Sequence, residues 1–433
     1  MAENLRSRAQ LRRAVLSSYF GSVIEYYDFL LYATASAVVF NKVFFSNLDP
    51  VAGTIASLGT FTTGYLARPI GGIVFGHFGD LLGRKRMLVI TMTMMGVAST
   101  LIGLLPTYAQ IGVWAPVLLI VLRVLQGVAV GGEWGGAVLM SAEHATSRRG
   151  LWASFTNAGA PSGMVVSTLL LTLMGAVTTD AQFLAWGWRV PFLLSVVLLA
   201  VGLFVRLKVD ETPVFAATER RAGAPLLEVL RHHPKNLLLA IGVGFAAFVA
   251  QGTLTTYVLS YAVHAGFSRQ TVLNAITVSS VGAVFGIIGF SALSDRVGRR
   301  PVVVAGAVAT GVVGFVLFPL IDSGSAALLT LGVVLGQSIA HPAMYGPLAA
   351  LYTELFATRT RYTGASLGYQ IAGLGAGIAP VVFAALAGSG TVLISAVIAA
   401  CCLLTVVCVL ALRESNRVDL GDPAAQRLTG AGH

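Results

Sequence analysis

Twelve apolar runs separated by short polar segments divide the 433-residue chain. Most runs reach the length of about 20 residues that an α-helix needs to cross roughly 30 Å of hydrocarbon. Strands are a poor alternative, because lipid-exposed backbone must satisfy its hydrogen bonds within each helix. The pattern therefore predicts an all-α polytopic membrane protein with twelve transmembrane helices. The runs are residues 15–40, 51–76, 87–105, 113–140, 151–177, 190–205, 237–263, 271–293, 302–321, 326–352, 364–387 and 391–412.

Composition supports the membrane class, since 56% of the residues are hydrophobic and only 11% are charged, against about 25% charged in soluble domains. Of the 28 lysines and arginines, nearly all fall at the two termini and in alternate loops. Only Lys42, Arg189 and Arg269 fall in the other loops. This is the positive-inside pattern, and it predicts that both termini face the cytoplasm, as in a bacterial inner-membrane protein. It also explains the net charge of +10 without a nucleic-acid partner.

One loop motif occurs twice. The segment after the second run reads GHFGDLLGRKR (76–86), and the segment after the eighth run reads SALSDRVGRRP (291–301). Each copy has an acid, a glycine three residues later and then two basic residues, so a merely basic loop is a weak explanation. The repeat indicates a gating motif made of Gly76, Asp80, Gly83, Arg84, Asp295, Arg296, Gly298 and Arg299.

The repeat also predicts the domain organisation. Residues 1–208 would form an N-terminal six-helix half, and residues 236–433 a C-terminal half with a short cytoplasmic tail. Residues 209–235, the only long charged stretch, would link them in the cytoplasm. Two such halves are expected to bind a substrate where they meet near the membrane midplane.

Five segments carry a resemblance to a known family. They resemble the metabolite–proton symporter branch of the major facilitator superfamily, whose members carry shikimate, 2-oxoglutarate, citrate and proline or betaine. The resemblance implies transport by alternating access. Leu81 stands where the family has a basic residue, and Ser291 where it has a glycine. The segments are RPIGGIVFGHFGDLLGRKR (68–86), RVLQGVAVGGEWGGAVL (123–139), WGWRVPFLLS (186–195), DETPVF (210–215) and RYTGASLGYQIAG (361–373).

Five charged side chains fall inside the runs: Glu25, Asp28, Arg68, Arg123 and Glu133. Such charges cost at least about 2.5–3.5 kcal/mol at the bilayer centre and usually face the protein interior. The first two acids share a helix face, where burial and like charge both disfavour two ionised carboxylates. We expect a proton-coupling site made of the three acids and Arg123. Static ion pairs, Asp28 with Arg68 or Glu133 with Arg123, are the alternative.

The two arginines also indicate the substrate, because a guanidinium binds a carboxylate through two parallel hydrogen bonds. Arg123 begins RVLQG, which resembles a superfamily motif associated with proton coupling, so it can serve either role. Neutral polar side chains near the middle of other runs could complete the site. The expected substrate-binding residues are Tyr32, Arg68, Arg123, Asn157, Gln251, Tyr257, Tyr345, Tyr369 and Gln370.

The chain offers no nucleophile–base pair and no metal-ligand cluster, so we expect neither an enzyme nor a bound cofactor or metal. The expected function is proton-coupled symport of a small organic acid by a monomer in the lipid bilayer. A symporter of sugars, polyols or betaine-like zwitterions is the alternative, and a non-transporting receptor is a remoter one.

Overall fold

The computed structural model describes residues 2–145, 147–208, 225–358 and 360–416. Within these ranges the chain forms twelve main helices, α1 to α12, with shorter helical segments between several of them. This confirms the predicted all-α membrane fold. The helices are α1 Ala2–Ala35, α2 Pro50–Leu82, α3 Arg84–Leu104, α4 Trp114–His144, α5 Arg149–Val177, α6 Arg189–Leu207, α7 Pro234–Gly252, α8 Arg269–Val297, α9 Arg299–Asp322, α10 Ala326–Val334, α11 Arg361–Leu386 and α12 Thr391–Ala411.

Four of the helices adjoin a π-helix, in which each hydrogen bond spans one residue more than in an α-helix. Two of these lengthen α7 and α10 into continuous helical stretches, Pro234–His264 and Ala326–Glu354. π-Helical turns are rare and occur mostly where a helix serves a function. The π-helices are Ser36–Phe40 after α1, Phe183–Gly187 before α6, Thr253–Tyr257 after α7 and Leu335–Ala340 after α10.

Ten helices in the described ranges are long and apolar enough to cross a membrane. The helices α1 and α2 are not among these ten and are 34 and 33 residues long. Large apolar side chains cover the outside of the bundle, including Leu66, Phe285 and Leu403, which are more than half exposed. A soluble protein rarely exposes so much apolar surface, whereas a lipid-facing surface requires it.

The sixth span is longer than the apolar run 190–205 predicts. Its helical stretch covers Asp180–Leu207, so Arg206 lies inside the helix and is only 2% exposed.

Helices α1–α6 and α7–α12 pack as two halves that meet mainly along α2 with α11 and α5 with α8. The predicted linker, 209–235, lies outside the described residues up to position 224. From there it continues as a short helix, Pro225–His232. The boundaries proposed for the halves stay a prediction.

One end of the bundle contains the turns α2–α3, α4–α5 and α8–α9 and the segment before α11. Two of these turns, α2–α3 and α8–α9, carry the repeated motif. This end is called the basic end below. Gly83 and Gly298 connect the helices there with φ angles of 108° and 113°, which L-residues with a side chain rarely adopt. The glycine three residues after the acid in each motif copy is thus needed by the backbone of the turn.

Candidate functional site: a closed gate and a buried charge cluster

The first motif copy joins the halves at the basic end. The Asp80 carboxylate accepts hydrogen bonds from the backbone N–H groups of Tyr362 and Thr363, at 3.2 and 2.9 Å, and from the Thr363 hydroxyl at 2.8 Å. These N–H groups begin α11, where free donors and the helix dipole favour an anion. Arg84 lies 3.9 Å from the same carboxylate. A carboxylate of the N-terminal half therefore caps a helix of the C-terminal half.

The second motif copy makes the reciprocal contact. Asp295 accepts hydrogen bonds from the backbone N–H groups of Gly150 and Leu151 at 2.8 and 2.9 Å. These groups begin α5, and Arg299 lies 2.8 Å from Asp295. Each half thus caps the first turn of one helix in the other half, and the basic end is closed.

Two further acids, Glu143 and Glu354, complete this gate, and sequence reasoning missed both. Glu143 at the end of α4 lies 3.4 Å from Arg84 and 3.0 Å from Arg361. Glu354, which ends the helical stretch begun by α10, lies 3.2 Å from both Arg299 and Arg149. The sequence feature that could have identified them is their equivalent position at the ends of the fourth and tenth spans.

The other predicted gating residues differ in position. The backbone at Gly76 approaches α11 so closely that a Cβ there would lie 3.0 Å from the Thr363 Cα atom. Arg296 instead points outward and is exposed. Arg299, which follows its glycine as Arg84 does in the first copy, makes the equivalent ion pair.

Arg68 lies between the halves. Its Nε donates to the Gln370 Oε1 atom at 2.8 Å, and its guanidinium carbon lies 5.2 Å from the centre of the Tyr65 ring. Gln370 in turn donates to the Gly131 carbonyl at 3.1 Å. The Nη2 group of Arg68 is buried without a hydrogen-bond partner among the described residues. A cation with a free donor therefore faces the interface of α2 and α11.

Arg123 has a different environment, inside the N-terminal half. Its guanidinium carbon lies 3.9 Å from the centre of the Phe29 ring, 4.2 Å from that of Tyr32 and 5.0 Å from that of Phe61. Aromatic faces attract a cation electrostatically. Within the described ranges, neither Arg123 nor Arg68 forms an ion pair with an acid.

The three buried acids are separated by their partners. Asp28 accepts a hydrogen bond from the Ser195 hydroxyl, and Ser99 faces the same carboxylate. Ser99 accepts from Gln126 at 2.7 Å, and Gln126 accepts from Arg123 at 3.1 Å. Asp28 and Arg123 are therefore linked through two neutral side chains, and the alternative ion pair of Asp28 with Arg68 is absent among the described residues.

Glu133 forms an ion pair with Arg206 of α6, not with Arg123, and also accepts from the Thr91 hydroxyl at 2.9 Å. Both oxygens of Glu25 are buried and lack a hydrogen-bond donor among the described residues. Sequence reasoning missed Arg206 as a site residue because it lies three residues before the charged linker.

Aromatic side chains from both halves close the centre of the molecule. The rings of Trp134 and Tyr369 stack with centroids 3.5 Å apart, and the Tyr369 hydroxyl lies 2.5 Å from that of Tyr345 and 3.2 Å from that of Tyr26. Asn157 accepts from the Trp134 indole N–H at 2.8 Å and donates to the Tyr345 carbonyl at 3.0 Å. These five side chains are called the central aromatic cluster below.

A small cavity of about 30 Å³ lies on the α5–α8 side of this cluster. Its lining includes Gln251, Gln337, His341 and Tyr345, together with apolar side chains of α5 and α8. Tyr345 thus lines the cavity while its hydroxyl contacts Tyr369. Neither Arg68 nor Arg123 lines the cavity, and Tyr345 is the residue of the cluster that does.

Two predicted binding residues lie elsewhere. Tyr257 packs its ring against Phe318 and Phe383 inside the C-terminal half. The Tyr32 hydroxyl donates to Thr60 at 2.7 Å, and its ring contacts Arg123. The structure therefore groups Asn157, Tyr345, Tyr369, Gln370 and Arg68 at the interface and places Tyr32 beside Arg123.

Comparison with known proteins agrees with this architecture. A family model described as Major Facilitator Superfamily matches residues 19–365 and 275–429. The shikimate transporter of Escherichia coli (strain K12) is 39% identical over 427 residues, which cover 96% of this chain and 97% of that protein. The proline/betaine transporter of the same strain is 34% identical over 385 residues, covering 86% and 77%.

Among solved structures, the proton:xylose symporter XylE bound to 6-bromo-6-deoxy-D-glucose superposes with a TM-score of 0.78. It is 15% identical and covers 98% of this chain and 100% of that chain, a likeness that concerns the fold alone. The fold and the reciprocal gate define a multi-pass membrane transporter rather than an enzyme. The chain belongs to the Major Facilitator Superfamily, and the family predicted from the sequence motifs is confirmed.

Proposed function

We propose that the protein is a proton-coupled symporter that carries a small carboxylate-bearing metabolite by alternating access, as a monomer. Its sequence relatives include a shikimate transporter and an inner membrane metabolite transport protein, YhjE, both from Escherichia coli (strain K12) and both 39% identical. The observation that carries the substrate class is Arg68, a buried cation between the halves with a free Nη2 group.

The closed basic end supports alternating access. Both motif acids hold a helix N-terminus of the opposite half, so release of substrate at this end requires both contacts to break together. A hydrogen bond to a charged group contributes about 1.5–3 kcal/mol. The gate is thus stable enough to hold one state and weak enough to open when substrate and proton bind inside.

The position of Arg68 supports an anionic substrate. Its free donor and the amide of Gln370 come from different halves, and a carboxylate that bound both would pull α2 and α11 together. The central aromatic cluster would have to move for a substrate to pass from the cavity to this arginine. Substrate binding is thereby coupled to a rearrangement at the interface.

Asp28 and Glu25 support proton coupling. Asp28 has one oxygen without a partner, and Glu25 has two, among the described residues. An ionised carboxylate buried without donors costs several kcal/mol, so both sites favour the protonated acid while the protein is in this conformation. The relay through Ser99 and Gln126 offers a route by which the charge on Asp28 acts on Arg123.

The function is tested by uptake into proteoliposomes with an imposed pH gradient. The panel contains small mono- and dicarboxylates, shikimate-like acids, betaines and sugars. We expect accumulation of at least one carboxylate, abolished by a protonophore. Binding of a carboxylate without any uptake or exchange would favour the receptor instead.

A betaine-like zwitterion is a second candidate substrate. The central aromatic cluster presents the ring faces that bind quaternary ammonium groups, next to an arginine that could hold the carboxylate. Accumulation of betaines in preference to simple carboxylates in the same panel would identify this class.

We also propose that the basic end faces the cytoplasm, as the loop charges predict. Single cysteines at Ser147 and at Thr218, the latter outside the described residues, should react with an impermeant reagent only from the cytoplasm. A cysteine at Asp180, before α6, should react only from the opposite side. Reaction of Thr218→Cys from the outside would refute the twelve-span arrangement.

A further inference from the structure

Away from the basic end, Arg206 is a buried cation that forms an ion pair with one buried acid, Glu133, and acts through its charge on a second, Glu25. Its Nη2 group donates to the Glu133 Oε1 atom, while its Nε and Nη1 groups are buried without partners. The two oxygens of Glu25 also lack partners. The charges of Arg68 and, to a lesser extent, Arg206 act on Glu25.

Span one is shaped to admit this guanidinium. A Cβ at Gly21 would overlap the Nη2 and Cζ atoms of Arg206, so only glycine leaves room for the guanidinium against α1. Gly21 lies four residues before Glu25, on the same helix face. The guanidinium of α6 therefore sits between α4, which carries Glu133, and the face of α1 that carries Glu25.

The charges in this cluster do not balance if both acids are ionised. One guanidinium can neutralise one carboxylate, and Arg68 donates its Nε to Gln370 at the interface and forms no ion pair with an acid among the described residues. An unpaired buried carboxylate costs several kcal/mol. A proton on Glu25 removes that cost while Arg206 stays on Glu133.

We propose that Arg206 is a positioning residue for proton coupling, a single cation that Glu133 holds while Glu25 is protonated and that Glu25 takes over when its proton leaves. This inference rests on the proposed symport function. The proton leaves Glu25 for water, and no other bond changes. The guanidinium then bridges toward α1 through its free Nε and Nη1 groups, and its hydrogen bond to Glu133 weakens.

The cluster adjoins the gate at the basic end. The Tyr362 hydroxyl donates to the carbonyl of Gly132 at 2.5 Å, the residue before Glu133. The backbone N–H of Tyr362 donates to Asp80. A shift of Arg206 away from Glu133 is therefore transmitted through one residue of α4 to the cap that holds the gate closed.

The test follows the pH dependence of the carboxylic C=O band in infrared difference spectra of the full-length protein in lipid. Glu25→Gln identifies the band. We expect Arg206→Gln to move its midpoint to higher pH, because the cation is lost. Glu133→Gln should move it to lower pH, because Arg206 is released to Glu25. Each shift should be at least about one pH unit.

One further variant, Gly21→Ala, and two controls, Lys208→Gln and Gly59→Ala, accompany these measurements. Lys208→Gln removes a cation just after the end of α6, where the side chain is exposed, and should leave the midpoint unchanged. Gly21→Ala displaces the guanidinium without changing any charge and should move the midpoint in the same direction as Arg206→Gln. Gly59→Ala, where a Cβ meets nothing within 4 Å, should have no effect.

Unchanged midpoints in both Arg206→Gln and Glu133→Gln would overturn the proposal, as would the absence of a Glu25 band. If Arg206→Gln does not fold, the Glu133→Gln and Gly21→Ala shifts of opposite sign decide the matter. A static ion pair predicts that Arg206→Gln/Glu133→Gln regains wild-type proton-driven uptake; we expect it to stay at least about tenfold lower.

The spectroscopic measurement needs no substrate. Opposed shifts in a protein that accumulates nothing from the panel would therefore support the role of Arg206 and contradict the symport function. Proton-driven uptake with unchanged midpoints would support the symport function and contradict the role of Arg206.

Discussion

The N-terminal half, α1–α6, buries acids and arginines among its own helices, whereas the described interior of α7–α12 contains amides, hydroxyls and one histidine. At the basic end this contrast disappears, because each half supplies one capping aspartate and one glutamate with its arginines. The comparison separates two tasks. Opening the basic end involves both halves equally, but the groups that can hold a proton belong to one half.

The largest expected effect tests whether an acid of the N-terminal half holds the coupled proton. Asp28→Asn should abolish accumulation driven by a pH gradient, because the amide cannot take up or release the proton. Counterflow exchange, which needs no net proton movement, should partly survive. Both are measured in vesicles with matched protein levels.

The control is Asp322→Asn at the end of α9, where the acid accepts from the Tyr261 hydroxyl outside the N-terminal half. It should keep accumulation close to wild type. If Asp28→Asn, Glu25→Gln and Glu133→Gln all keep full proton-driven accumulation, carboxylate coupling is wrong.

The next effect separates the two arginines. Arg68→Gln should weaken substrate binding by about tenfold or more, since it removes the cation at the interface, and Arg68→Lys should weaken it less. Arg123→Gln should change proton-driven uptake more than affinity, because Arg123 lies inside one half. Equilibrium binding and uptake are compared for variants that reach the membrane.

Equal affinity in wild type and Arg68→Gln would leave the carboxylate assignment without support. A greater loss of affinity in Arg123→Gln would exchange the two roles.

The gate predicts similar effects from equivalent positions. Asp80→Asn and Asp295→Asn should each lower transport by about tenfold or more while affinity stays within a few-fold, because each substitution removes a charged cap from the opposite half. Accessibility of a cysteine at Ser147 reports whether the basic end opens. A severe loss of transport in one variant with a normal rate in the other would show that the two motif copies are not equivalent.

The smallest effect concerns the C-terminal half. His341 lines the cavity and stacks on Tyr345 with ring centroids 5.0 Å apart. His341→Gln should change affinity by only a few-fold and leave the ratio of proton-driven uptake to counterflow unaltered. Away from the gate, the described residues of this half include no other buried carboxylate or histidine, the groups that titrate near neutral pH when perturbed. A lost pH response in this variant would place a coupling group in both halves.

Sequence reasoning predicted the fold because membrane crossing imposes a length and an apolarity that each run displays by itself. It also predicted the gate motifs, since Asp80 and Asp295 recur with the same spacing. The contacts of Asp80 depend on α11, nearly 300 residues away, and local pattern carries no record of that partner.

The charge cluster shows the other limit. Glu25, Asp28 and Glu133 stand out in apolar runs, but their partners Arg206 and Ser195 do not. A serine is common in any helix, and an arginine at the end of a span is expected to reach the polar surface. Burial of Arg206 follows from the space beside Gly21, which is a property of the packed helices.

The reciprocal caps have a consequence for biogenesis. When the first six helices leave the ribosome, the N–H groups of Gly150 and Leu151 begin α5 without the carboxylate that will satisfy them, and Asp80 has no helix to cap. Neither half is electrostatically complete until the other is inserted. The same contacts that later open and close in each transport cycle can therefore form for the first time only after both halves have been inserted.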